Sequence, residues 1–181
     1  RTRSRTPHLA CWSRFGLTPK HYGVVTLHRP SNVDSPARLA SLVEVLLDAS
    51  ARLPMLFPLH PRARPVLDES RLLRLLEAAP GIHLVPPLGY LDFLGLVAEA
   101  RVAITDSGGL QEETTALGVP CLTVRSNTER PITVDEGTST LVAAPEALRE
   151  ALDRVLHQRY KKGRCPALWD GNAARRIAAI L

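Results

Sequence analysis

Val102-Ala103-Ile104-Thr105-Asp106-Ser107-Gly108-Gly109-Leu110-Gln111-Glu112-Glu113 decides the reading of this chain, because an apolar run ends there in a glycine pair that opens a helix-like segment. The run has the length of a short buried strand, and the glycines let the backbone approach a bound group closely. The amides that follow start a helix. Their unpaired N–H groups and the positive end of the helix dipole suit a phosphate, with the Ser107 hydroxyl as a further donor. Glu113 lies one helical turn and a bit further on, too far in to meet the phosphate without repulsion but placed to accept hydrogen bonds from ribose hydroxyls. The implied ligand is a nucleotide. The competing reading is an ordinary strand-to-helix turn with Ser107 as its cap.

Outward from this stretch, strands alternate with helices. Val24-Val25-Thr26-Leu27 reads as a buried parallel strand that stops at His28-Arg29-Pro30-Ser31-Asn32. Ser35 caps a helix with Pro36 at its first position, and Leu39, Leu42, Val43, Leu46 and Leu47 mark its buried face. Met55 to Leu59 is a second strand ending at His60, and Pro58 inside it argues for an end or edge position. Leu72 to Ala79 is helical, Ile82 to Val85 is a strand, and Tyr90 to Ala100 returns as a helix. Ser107 to Leu117 is a helix stopped by Gly118, Cys121 to Val124 a strand, and Arg125 to Pro131 a polar loop. Thr138 to Val142 makes a sixth strand, followed by a helix from Pro145 to about His157 and a basic loop, Lys161 to Pro166. A last amphipathic helix, Gly171 to Leu181, carries Ala173, Ile177 and Ile180, which need a surface to cover. The alternation predicts an α/β fold with a doubly wound parallel sheet. Ligands bind such sheets at the carboxyl ends of the strands, where His28, His60, Ser107 and Arg125 to Arg130 all fall.

At 181 residues the chain is expected to form one domain, Leu17 to Leu181, preceded by an arm and a short helix over residues 1–16, with His8 to Phe15 as that helix. Its 45% hydrophobic and 23% charged residues describe a globular protein, and no apolar run approaches the ~18 residues that span a bilayer. A membrane role is therefore not expected. The net charge of +5 includes Arg1, Arg3 and Arg5 in the arm, a pattern that argues for solubility rather than nucleic-acid binding. Cys11, Cys121 and Cys165 have no metal-type spacing and no secretory leader precedes them, which fits a reducing cytoplasm.

Taken together, V-T-L-H-R-P-S-N-V-D, F-P-L-H-P, T-D-S-G-G-L-Q-E-E, L-G-V-P-C-L-T-V-R and N-T-E-R-P resemble the non-hydrolysing UDP-N-acetylglucosamine 2-epimerases. The resemblance runs from about Leu17 to Leu181 and covers only the carboxyl-terminal, Rossmann-like half of that family's glycosyltransferase-B-like fold. It implies a UDP-sugar in a cleft between two halves, UDP elimination to a glycal, and re-addition to give UDP-N-acetylmannosamine. No metal or nicotinamide cofactor is implied, and a homodimer is a plausible state. By the same resemblance, Ser107, Gly108 and Gly109 hold the diphosphate, Glu113 the ribose, and Arg130 faces the diphosphate. His28 lies by the diphosphate and reacting sugar as the catalytic group, and Leu88 and Phe93 lie in the stretch that contacts uracil.

Two departures bear on function. Many relatives have H-R-R-E-N where this chain has His28-Arg29-Pro30-Ser31-Asn32, and H-x-N-P where it has His60-Pro61-Arg62-Ala63. Those segments help bind an allosteric substrate in the relatives, so Arg29 and His60 are secondary candidates. The family's catalytic carboxylates belong to its amino-terminal half, to which nothing in this sequence corresponds. The expected function is therefore the UDP-sugar-binding half of an epimerase, inactive without a partner half. The alternatives are the donor domain of a nucleotide-sugar glycosyltransferase and a non-catalytic UDP-binding module.

Overall fold

Side chains alternate sides along a strand, so each short apolar run here feeds two separate cores. A computed structural model describes residues 11–180; the expectations for residues 1–10 and for Leu181 lie outside them. Six strands, β1 (Gly23–Thr26), β2 (Met55–Pro58), β3 (Ile82–Val85), β4 (Val102–Thr105), β5 (Cys121–Thr123) and β6 (Ser139–Leu141), form one sheet. Its order is β3-β2-β1-β4-β5-β6 and every pairing is parallel. Val25, Met55, Phe57, Val102 and Ile104 face one core, and Val24, Leu56 and Ala103 face the other.

The first core lies under α2 (Pro36–Ser50), α3 (Ala63–Glu69), α4 (Leu72–Ala78) and α8 (Pro145–Leu156). The second lies under α5 (Tyr90–Ala98), α6 (Gly108–Leu117) and a 3-10 turn, Cys11–Phe15, whose Cys11 is buried. This is the doubly wound, Rossmann-like arrangement expected from the alternation. Among the described residues no helix is long and apolar enough to cross a membrane.

Several local expectations are met for the reasons given. The Ser35 side chain accepts from the Arg38 N–H with Pro36 at the first position of α2, and Gly118 ends α6 in the left-handed region at φ 72°. Pro58 ends β2, which is an interior strand, so of the two expected positions it takes the end rather than the edge.

Other features escaped the pattern. Single-turn helices α1 (Pro30–Val33) and α7 (Pro131–Asp135) occupy segments to which no helix was assigned, each with proline where its missing N–H costs nothing, and α3 likewise forms across Pro65. Helices this short bury too few apolar residues to show a period. The last helix is shorter than expected, α9 (Ala173–Ala178), and Ile177 and Ile180 are exposed rather than covered.

The turn before β3 tests this packing. A Cβ at Gly81 would run into the carbonyl oxygen of Ser50 at the end of α2. Gly81→Ala is expected to lower stability by about 1–3 kcal/mol, the usual cost of overpacking. Urea unfolding checks it, and an unchanged midpoint would contradict the close approach.

Candidate functional site

Strand register places the site. Thr26 of β1 pairs with Thr105 of β4, and their hydroxyls meet at 2.7 Å. These two strands flank the point where the strand order reverses, the usual position of a ligand crevice in such sheets. The chain leaves β1 as Leu27-His28-Arg29 and leaves β4 as Asp106-Ser107-Gly108, so both segments open side by side at the carboxyl edge.

Asp106 joins them. It is fully buried, and its carboxylate accepts the backbone N–H groups of His28 (3.0 Å) and Arg29 (2.9 Å) and the side-chain amide of Asn32 (3.1 Å). His28 Nδ1 lies 2.8 Å from its other oxygen, and Arg29 Nε donates to the Asp106 carbonyl at 2.8 Å. Burial pushes the Asp106 carboxyl up, but the bonds from His28, the Arg29 amide and Asn32 outweigh it and hold the group below its ordinary value. Sequence reasoning had treated Asp106 only as part of a motif.

Ser107 caps α6, its Oγ accepting from the Leu110 N–H at 3.4 Å. As the cap reading required, the oxygen faces the helix amides; its own hydrogen is still free to turn toward a ligand. The Gly108 and Gly109 amides come at the first turn, where a helix has no internal acceptors for them. Gly109 is exposed, with open space where a side chain would stand, and the Arg130 guanidinium lies over Gly108, 3.8 Å from where its Cβ would be.

Arg130 Nε is 3.0 Å from Glu112 Oε2, an ion pair whose angle falls short of a hydrogen bond. The loop carrying Arg130 is tied down from below. Buried Gln111 accepts from Thr128 Oγ1 at 2.8 Å, and Thr128 Oγ1 accepts from the Arg130 N–H at 3.0 Å. Arg125, buried, grips Glu129 through both nitrogens at 2.9 and 2.7 Å, and this bond holds the Glu129 carboxyl down at about 2. Glu129 therefore braces the loop. Asn32 and Gln111 were missed because their partners are distant in the chain. Arg125 was placed at this edge only as the start of a polar loop, whose internal clamp has no period to reveal it.

Glu113, one turn deeper on α6, accepts from the Tyr90 hydroxyl at 3.1 Å. Desolvation raises its pKa, the Tyr90 bond works against that, and Glu112 adds to the rise. Leu88 and Phe93 are half-buried and pack against the second core. His60 is exposed, its ring centroid 5.3 Å from that of His28. The structure thus groups Ser107, Gly108, Gly109, His28, Arg29, Arg130 and His60 at one edge, with Glu113 further along α6.

Among the described residues no group of three or more His, Cys, Asp or Glu is placed to hold a metal ion. A cavity of about 310 Å³ lined by Lys20, Arg101, Tyr160 and Lys161 opens at the opposite edge, where the strands begin. Its cations donate to main-chain carbonyls of Ala98, Val155, Leu156 and Val134.

The state of Asp106 makes acid stability a test of this geometry. A carboxyl whose folded pKa lies below its unfolded value (about 3.9 for Asp) adds stability above that value and loses it as pH falls through the folded one. Urea midpoints for this chain should fall on acidification below about pH 4, and more steeply than those of Asp106→Asn. Parallel slopes would contradict the buried, ionised carboxylate.

The family model described as UDP-N-acetylglucosamine 2-epimerase matches residues 3–181. The UDP-N-acetylglucosamine 2-epimerase of Methanococcus maripaludis is 39% identical over 163 residues, which is 88% of this chain and 44% of that protein. The UDP-2,3-diacetamido-2,3-dideoxy-D-glucuronate 2-epimerase of Pseudomonas aeruginosa is 40% identical over 164 residues, 87% of this chain and 43% of that protein. The crystal structure of Methanocaldococcus jannaschii UDP-GlcNAc 2-epimerase in complex with UDP-GlcNAc and UDP matches with a TM-score of 0.82 at 34% identity, covering 98% of this chain and 49% of that one. The chain spans about half the length of the curated relatives it matches.

Proposed function

The chain belongs to the UDP-N-acetylglucosamine 2-epimerase family, and from that premise we propose that it forms the UDP-holding half of an enzyme that inverts carbon 2 of a UDP-2-acetamido sugar. The observation that carries this reading is the meeting of the α6 N-terminus, His28 and Arg130 where β1 and β4 end, with Glu113 one turn deeper. In this reading the diphosphate lies on the Gly108 and Gly109 amides with Arg130 beside it. Glu113 accepts from the ribose hydroxyls, and the chain at Leu88 and Phe93 meets uracil.

The chemistry follows from where charge develops. When the bond from sugar carbon 1 to the β-phosphate oxygen breaks, its electron pair goes to that oxygen, and preorganised donors there stabilise the departing UDP. The proton on carbon 2 must leave to a base within hydrogen-bond reach. We assign that base to residues outside this chain. The Methanococcus and Pseudomonas relatives are named for sugars that differ at carbons 3 and 6. The substituents of the sugar are accordingly read by the same outside residues, and this chain selects the nucleotide.

Calorimetry with UDP on this chain tests the placement. Glu113→Ala should weaken binding by about 10-fold or more, since hydrogen bonds to a charged group contribute ~1.5–3 kcal/mol. Removing the 2′-hydroxyl from UDP should cost affinity against the native chain and much less against Glu113→Ala. Additive losses would place the ribose elsewhere. In protein carrying both halves, UDP-N-acetylglucosamine in deuterated water should gain deuterium at carbon 2, whereas transfer to an acceptor without exchange would assign the glycosyltransferase reading instead.

A further inference from the structure

The two oxygens of Asp106 are not equivalent. Oδ2 takes three donors, the backbone N–H groups of His28 and Arg29 and the Asn32 amide, at 3.0, 2.9 and 3.1 Å. Oδ1 faces the His28 ring at 2.8 Å and takes only a longer share of the His28 N–H, at 3.2 Å. An ionised carboxylate can only accept, so the ring proton sits on His28 Nδ1 and Nε2 is the nitrogen left to act. The imidazole is 37% exposed, so the ring reaches the surface of the site while its Nδ1 edge is held in the interior. His60 is set the other way: its Nδ1 accepts the Arg62 N–H at 3.1 Å, which puts its proton on Nε2.

We propose that Asp106 is a positioning residue that locks His28 as the Nδ1–H tautomer, so that His28 takes up and gives up a proton at Nε2, the atom facing the departing diphosphate. This deepens the UDP reading and rests on it. A second proton can enter the locked ring only at Nε2, without disturbing the bond to Asp106. In the opposite tautomer Nε2 already carries the proton, and passing it on would require rearrangement at Nδ1. Histidines oriented by a buried aspartate in other enzymes depend on the same constraint.

Asp106→Asn tests the lock because its hydrogen bonding allows one solution. Two main-chain N–H groups cannot become acceptors, and Asn32 cannot turn over because its amide also donates to the Val124 carbonyl at 2.9 Å. The new carbonyl oxygen must therefore take the Oδ2 place. The new NH2 then faces His28 Nδ1, which can receive it only by passing the ring proton to Nε2.

The experiment is long-range 1H–15N correlation on the 15N-labelled chain, above the imidazole titration, with His28→Gln assigning the signals. The native chain should show Nδ1 protonated and Nε2 bare, and Asp106→Asn should show the reverse. A native Nε2–H pattern overturns the proposal, and so does a folded Asp106→Asn that keeps Nδ1–H. Should that variant fail to fold, the native pattern decides alone. Added UDP should then move the Nε2 signal more than the Nδ1 signal, and the opposite order overturns the proposal. Calorimetry that finds no UDP binding beside an intact Nδ1–H pattern overturns the nucleotide reading while the lock itself stands.

Discussion

A buried carboxylate with four donors around it is the constraint on which this site depends. Asp106 has no exposure, so each donor it accepts must be delivered by the fold. Two come from main chain leaving β1, one from α1 and one from the His28 ring. Taking an ion out of water costs several kcal/mol unless it is paired and its lone pairs are met. Hence the loop after β1 is held in a conformation that presents these donors to Asp106, and the single turn of α1 brings Asn32 to that carboxylate. Asn32 also donates to the Val124 carbonyl at the end of β5, so three strand ends are held by one cluster.

The same economy governs the loop that follows β5. It has little apolar surface to bury, and polar bonds replace it. Gln111, buried on α6, collects the Thr128 hydroxyl, and Arg125 clamps Glu129 in bidentate fashion. Exposed ion pairs contribute little by themselves, about 0–1 kcal/mol. Here the Arg125 side chain is only 7% exposed while Glu129 is 57% exposed, so the clamp is shielded on one side only. Its bidentate geometry rather than its charge holds the turn that sets Arg130 over Gly108. Arg29 reaches the same carboxylate at 4.0 Å while donating to the Asp106 carbonyl, which links the loop to the central cluster.

Most of the fold was legible because its signals are local. Apolar runs bounded by proline and glycine located all six strands, and 3.6-residue periodicity with the Ser35 and Ser107 caps located the long helices. The single-turn helices were not legible, since their cause is tertiary: Asn32 on α1 is fixed by a residue 74 positions away. Asp106 was invisible as a hub for the same reason. Its type and place in a strand-to-helix turn suit a solvated cap just as well, and only the register of Thr26 with Thr105 brings His28 and Arg29 onto it. Glu112 is a further case: turned about 100° from Glu113 around α6, it pairs with Arg130, a partner that no local pattern names.

Charge at the site is nearly balanced, and this limits how it can recognise an anion. Arg29, Arg125 and Arg130 stand against Asp106, Glu112, Glu113 and Glu129. Net positive potential of the kind that draws in any polyanion is therefore weak here. Arg125 is committed to Glu129, and Arg29 is shared between Glu129 and the Asp106 carbonyl. What remains is directional: amides of the first turn of α6, which have no acceptor within the helix, and the Arg130 guanidinium held above Gly108. Directional donors reward a ligand whose anionic oxygens lie at a set distance from its hydroxyls, since Glu113 sits a fixed helical turn below. On the proposed reading, a nucleoside diphosphate satisfies both ends at once, whereas a simple phosphate meets only the glycine end and leaves Glu113 with Tyr90 alone.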